Sequence, residues 1–198
     1  MKLRYIHIIA VSLLLASCGP KESDWSAYYE SQYKQPYGTK VLYDELTYLF
    51  PSAAVEKITT RTDEYLEKNS FEYGTFLYVN TVFHPDSAEY DPIENLLNSP
   101  NDVFIATADQ DAECFARHGI RLKYGNEEKF VLRLKRLLTD DFKYTIPNRT
   151  PTEVTYFDSI PSYATILGTV EINGRQQPNY IAIYNSVKNA TLLLHSQP

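Results

Sequence analysis

Apolar residues in the first half of the chain alternate between short continuous runs and runs at helical spacing. The continuous runs predict buried strands at 75–80 and 102–107, and the spaced runs predict helices at 87–97 and 110–118. A further short strand and a polar helical turn are predicted at 54–59 and 62–68. Strands that alternate with helices are typical of a parallel sheet covered by helices on both faces. The pattern therefore predicts an α/β fold for residues 39–125.

The predicted first helix carries its large apolar residues on one face. Leu42, Leu46, Leu49 and Phe50 recur at the spacing of one helical face, and Pro51 ends the helix. We expect this face to be buried against the strand at 76–79.

The second half of the chain, residues 126–198, is predicted to be rich in β-structure and largely antiparallel. The Asn173-Gly174 pair between two apolar runs predicts a tight hairpin turn. Residues 130–134 also fit a helix, but their alternation favours a strand. The predicted strands are at 120–122, 130–134, 154–157, 165–172, 180–184 and 191–195.

The N-terminus has the layout of a secretory signal peptide. Lys2 and Arg4 precede an apolar run at 6–16, which is about half the ~20 residues that a spanning helix needs. The run ends in Leu-Ala-Ser followed by Cys18, which resembles the lipobox at which bacteria attach lipid to a cysteine and cleave before it. We therefore expect a signal peptide at 1–17, a lipidated Cys18 and a tether with an aromatic segment at 18–38. Palmitate-type acylation would hold the chain at an inner or outer membrane of the bacterial envelope.

Charge and cysteine content exclude some classes of function. The formal net charge is −6, and loss of Lys2 and Arg4 with the signal would make it more negative by two units. Such a surface repels nucleic-acid phosphates, so we expect no nucleic-acid partner. Cys114 is the one cysteine besides Cys18, and a lone thiol is more often a small buried apolar group than a reactive one.

An aromatic cluster follows the tether. One interpretation is that this segment packs onto the surface of the domain. The other is that its rings form a contact surface for sugar rings or for a partner protein. The candidate contact residues are Trp25, Tyr28, Tyr29, Tyr33 and Tyr37.

The sequence contains no recognisable catalytic or metal-binding pattern, so we predict no cofactor and no metal. A Cys114–His195 pair is disfavoured because Cys114 falls in a helical pattern rather than in the sharp turn of a nucleophile elbow. Asp109, Asp111 and Glu113 follow a predicted strand, where they could hold a hard cation. The start of a solvated helix explains these acidic residues equally well.

Several stretches resemble a family of uncharacterised bacterial envelope proteins, the domain of unknown function 4350. The first is Pro-Tyr-Gly-Thr-Lys-Val-Leu-Tyr at 36–43, which in many relatives also follows a lipoprotein signal and a tryptophan–tyrosine segment. The departure from the family pattern is Ser99-Pro100, where relatives usually carry a glycine. The other matching stretches are 101–106, 156–157, 167–168, 178–181 and 194–198.

The resemblance implies a flavodoxin-like or class I glutamine-amidotransferase-like fold for the parallel N-terminal half. It implies no activity. Its relatives are often encoded beside MoxR-type ATPases, which implies a role in an envelope protein complex.

Three functions are consistent with these observations. The first is a non-enzymatic lipoprotein that binds a ligand or partner at the envelope. The second is a hydrolase or transferase with an unrecognised site on an amidotransferase-like fold. The third is a glycan-binding module that uses the N-terminal aromatic residues.

Overall fold

The computed structural model describes residues 39–80, 83, 85, 87–108, 113–134 and 142–196. The chain divides at Asp44 and Glu45, and the unit Glu45–Pro198 contains all the strands described below. The predicted signal peptide at 1–17, Cys18 and the five N-terminal aromatic residues lie outside the described residues. Among the described helices, none combines the length and the apolar character that crossing a membrane requires.

Four short helices and seven strands make up the described part of the chain. The helices are α1 (Lys40–Leu49), α2 (Thr62–Lys68), α3 (Ser87–Leu96) and α4 (Glu113–Arg117). The strands are β1 (Gly74–Val79), β2 (Asn101–Ala106), β3 (Arg121–Leu134), β4 (Phe142–Ser159), β5 (Thr165–Ile172), β6 (Arg175–Asn185) and β7 (Ala190–His195).

The seven strands form one mixed sheet in the order β1-β2-β7-β6-β5-β3-β4. Only the β1–β2 and β2–β7 pairs are parallel, and the remaining pairs are antiparallel. The predicted α/β class is therefore wrong, because the molecule is mostly β and lacks a flavodoxin-like or amidotransferase-like parallel sheet. The prediction rested on apolar runs separated by a helix. Such a pattern is compatible with a few parallel strands in a mixed sheet as well as with a wholly parallel sheet.

Helices α3 and α4 cover the sheet, and the main hydrophobic core lies between these helices and the strands. Alternate residues of the strands face this core, including Val103 and Ile105 on β2 and Leu192 and Leu194 on β7. Helix α3 turns Ile93 and Leu96 inward, where both are buried. On the opposite side of β1, Leu77 stays 43% exposed. The expected apolar strands are therefore present, but they are more open than a parallel sheet between two helical layers would be.

The sheet curls so that β4, the strand at one edge, returns towards β7 in the middle of the sheet. The Thr155 hydroxyl on β4 donates a hydrogen bond to the Ser196 carbonyl just after β7, and the Ser196 hydroxyl donates to the Thr155 carbonyl over 2.8 Å. Both residues are fully buried. A second small core, made of Val154, Val170 and Ile172, lies among β3, β4 and β5. The proposed boundary between residues 125 and 126 falls within β3.

Three local predictions have different outcomes. The β5–β6 hairpin forms at Asn173-Gly174, whose φ angles of 51° and 72° are those that a type I′ turn requires. Helix α1 forms where expected, but none of its residues is buried. Leu49 and Phe50 are 64% and 56% exposed, so the predicted burial of that face against β1 is wrong. Residues 54–59, predicted as a strand, have no regular structure.

Candidate functional site

The sequence-predicted contact and metal residues fall largely outside the described part of the chain. Cys18, Trp25, Tyr28, Tyr29, Tyr33 and Tyr37 are among them, as are Asp109 and Asp111. Glu113 is the first residue of α4. Within the described ranges, no group of three His, Cys, Asp or Glu side chains is arranged to hold a metal ion.

The disfavoured Cys114–His195 pair gains no support from the fold. Cys114 is in α4, which agrees with the helical pattern around it. His195 is the last residue of β7, and its ring lies 5.5 Å from the ring of Tyr180, centroid to centroid. His195 is therefore a strand-end histidine packed on an aromatic neighbour, as its apolar context predicts.

A groove of about 570 Å³ lies beside α3, near the start of β7. Its most buried residues are apolar and come from β6 and β7, with Ala190 and Leu192 almost fully buried. Its polar residues come from α3 and the turn after it, from the end of α4, from the turn between β4 and β5 and from the end of β6. The lining residues are Asp91, Glu94, Asn95, Leu97, Asn98, His118, Tyr163, Ile183, Asn185, Ala190 and Leu192.

The end of α4 fixes His118 in the wall of this groove. Gly119 has a φ of 69°, and its N–H donates to the Ala116 carbonyl over 3.0 Å. The Ile120 N–H donates to the Phe115 carbonyl over 2.8 Å, and both of these side chains are buried. This pair of hydrogen bonds with its apolar contact is a Schellman motif, which stops the helix at a left-handed glycine. Because His118 directly precedes that glycine, this motif fixes the position of its backbone.

Arg117 offsets one of the two negative charges that Asp91 and Glu94 bring to the groove. Its Nη1 lies 2.6 Å from Asp91 Oδ1 and 2.7 Å from Glu94 Oε2, and its guanidinium stacks 4.9 Å from the centroid of the Tyr90 ring. Asp91 and Glu94 are three residues apart on α3, so both reach the same cation. Arg117 thereby ties both carboxylates to one cation at the edge of the groove.

His118 is neutral at physiological pH. Its burial lowers the pKa of the imidazole below 6.5, nearby Glu94 opposes this shift and nearby Arg117 adds to it. The Nε2 atom is buried and has no hydrogen-bond partner among the residues that the structure describes. Because Nε2 is buried, a ligand in the groove can meet at most the other ring nitrogen of the neutral imidazole.

Asparagine side chains complete the polar wall. The Asn98 amide nitrogen donates to the Asn95 carbonyl oxygen over 3.1 Å, which orients both side chains along the groove. The Asn185 carbonyl oxygen accepts from the backbone N–H groups of Val187 and Lys188 at 3.2 and 3.3 Å. These described bonds leave the Asn98 carbonyl oxygen and the Asn95 and Asn185 amide nitrogens for a ligand.

Tyr163 projects from the turn between β4 and β5. The Ala164 N–H donates to the Pro161 carbonyl over 3.0 Å, which closes this turn around Tyr163. The Tyr163 side chain lines the groove while 63% exposed. The groove therefore combines an aromatic ring, amides, an imidazole and an apolar base, a set suited to binding an uncharged polar molecule.

Neither the Asp91–Glu94 pair nor His118 was singled out as a site from the sequence. The shared contact with Arg117 was missed, because the partners are 23 and 26 residues apart. The signal in the sequence that could have indicated this site was the run Arg117-His118-Gly119, which places a cation and an imidazole at a helix end.

Substitution of His118 by Gln is expected to make the protein less sensitive to acid. The unfolded chain binds a proton at this histidine near its ordinary pKa of 6.5, whereas the folded chain resists protonation to lower pH. His118 thus reduces stability as the pH falls below 6.5 and has no such effect above it. Urea unfolding between pH 5 and 8 measures this difference. A native protein and a His118→Gln variant with parallel pH profiles would contradict the assignment.

Comparison of the chain with protein-family models, with curated proteins and with solved structures gives no match. The geometry of the groove and the N-terminal sequence are accordingly the observations on which a function can be argued.

Proposed function

We propose that this protein is a non-enzymatic binding component of the bacterial cell envelope, anchored to a membrane by lipid on Cys18. The observation that carries the binding role is the groove. Its lining combines polar side chains with apolar residues of β6 and β7, and its two carboxylates contact Arg117 at 2.6 and 2.7 Å. Such an arrangement can hold and orient a small molecule without supplying a reactive group.

The anchoring role is supported by the N-terminal sequence. The charged start, the apolar run at 6–16 and Cys18 form an ordered signal that is followed by a polar tether. Acyl chains on Cys18 would hold the domain at the inner or outer membrane. The partner that the family resemblance favours is an envelope complex of the MoxR-type ATPase systems.

Replacement of Cys18 by alanine is expected to abolish incorporation of labelled palmitate when the gene is expressed in bacteria. The reason is that the thiol of Cys18 is the attachment atom. Cys114→Ala is the matched control, since Cys114 is the other of the two cysteines, and it is expected to keep full labelling. Unchanged labelling of the Cys18→Ala variant would overturn the anchoring proposal.

A further inference from the structure

We infer that the groove beside α3 binds a neutral oligosaccharide. This inference rests on the proposed binding function and names the class of its ligand. A volume of about 570 Å³ is within the range of small-molecule sites, roughly 300–1,000 Å³. The volume therefore suits a few linked sugar rings better than a single ion or a folded partner.

Charge argues against ionic ligands. Asp91 and Glu94 face a single guanidinium, so the rim keeps a net negative charge that repels phosphates and carboxylates. The same guanidinium already contacts both carboxylates, which opposes coordination of a metal cation. His118 contributes no charge at physiological pH, because its burial lowers the pKa of the imidazole.

The position of the groove argues against an extended peptide. The neighbouring strands β6 and β7 are interior strands of the sheet, each paired on both sides. They therefore offer no free backbone edge to which a peptide could add as a further strand. The ligand must be held by side chains.

The side chains present match the surface of a sugar. A sugar ring has an apolar C–H face and a rim of hydroxyl groups that both donate and accept hydrogen bonds. The exposed ring of Tyr163 provides a flat apolar surface with a polar tip, and Ile183 and Leu192 extend the apolar base. Asn95 and Asn98 supply neutral donors and acceptors for the hydroxyl groups.

The test is saturation-transfer NMR on the full chain in detergent, with cellotriose, maltotriose and chitotriose as probes. We expect the native protein to bind at least one of the three. Loss of the Tyr163 ring is expected to weaken this binding roughly tenfold or more in Tyr163→Ala, whereas Tyr163→Phe retains most of it. Tyr73→Ala is the matched control, because Tyr73 is a comparably exposed tyrosine, 77% accessible, that does not line the groove. It is expected to bind like the native protein.

Absence of binding of all three sugars overturns the inference, as does an equal loss in Tyr163→Ala and Tyr73→Ala. An uncharged acetylated tripeptide amide is included as a fourth probe. Binding of that peptide without any sugar overturns the saccharide assignment and leaves the binding function in place. The Cys18→Ala labelling experiment reports on anchoring independently of either result.

Discussion

Truncation of Phe157 to alanine is expected to lower the free energy of unfolding by about 3–5 kcal/mol. Phe157 lies on β4 and is 1% exposed, and its ring meets the ring of Phe115 on α4 edge to face at 5.7 Å. The substitution removes this contact and leaves a cavity in the main core. The effect is large because the core joins the curled end of the sheet to the helical layer.

Urea unfolding of the purified protein measures this effect, with Val187→Ala as the control. Val187 is 85% exposed in the loop between β6 and β7, and its truncation is expected to change stability by less than about 0.5 kcal/mol. Since Phe157 contacts α4, the whole sheet is expected to unfold in one transition that shifts as a unit. Two separate transitions, of which one is unaffected by Phe157→Ala, would contradict the single shared core.

Features set by neighbouring residues were predictable from the sequence. The β5–β6 hairpin is the clearest case, because Asn173 and Gly174 tolerate the positive φ angles that the turn needs. The bounds of α2 and β5 agree with the prediction for the same reason, since local periodicity and the flanking residues define them.

Features set by distant pairing were not predictable. The sequence gives no sign that β7, the last strand, inserts between β2 and β6. Because of this insertion, three strands are parallel and the rest are antiparallel. The α/β prediction was wrong because it did not include this pairing. The predicted burial of α1 was wrong for a related reason. Periodicity identifies an apolar face of a helix but does not show whether another element covers that face.

The candidate groove was missed because its parts are spread along the chain. Asp91 and Glu94 form an ordinary exposed helical pair until Arg117 is brought against them. Tyr163 lies in the turn between β4 and β5 and Asn185 at the end of β6, and their relative position follows from the strand order. Sequence reasoning instead selected the N-terminal aromatic residues, because five of them are close together in sequence.

The last prediction concerns the close approach of β3 to β5. A Cβ atom added at Gly125 would lie 2.9 Å from Ile172 Cγ2 and 3.0 Å from its Cδ1, closer than normal van der Waals contact. The backbone at Gly125 is not left-handed, so an alanine there meets a steric conflict rather than backbone strain. Gly125→Ala is therefore expected to destabilise the fold by about 1–3 kcal/mol. This cost exceeds the ~0.4–1 kcal/mol that alanine gains by restricting the unfolded chain.

A double-mutant cycle with Ile172→Ala tests the origin of this cost. Ile172→Ala removes both clashing atoms, so the double variant is expected to be more stable than the sum of the two single effects allows. Gly119→Ala is the matched control, because Gly119 has a φ of 69° and no atom within 4 Å of its added Cβ. Its cost comes from backbone strain and is expected to add to that of Ile172→Ala without compensation. Additive effects of Gly125→Ala and Ile172→Ala in urea unfolding would show that β3 and β5 do not approach each other here, and the curl of the sheet would then be wrong.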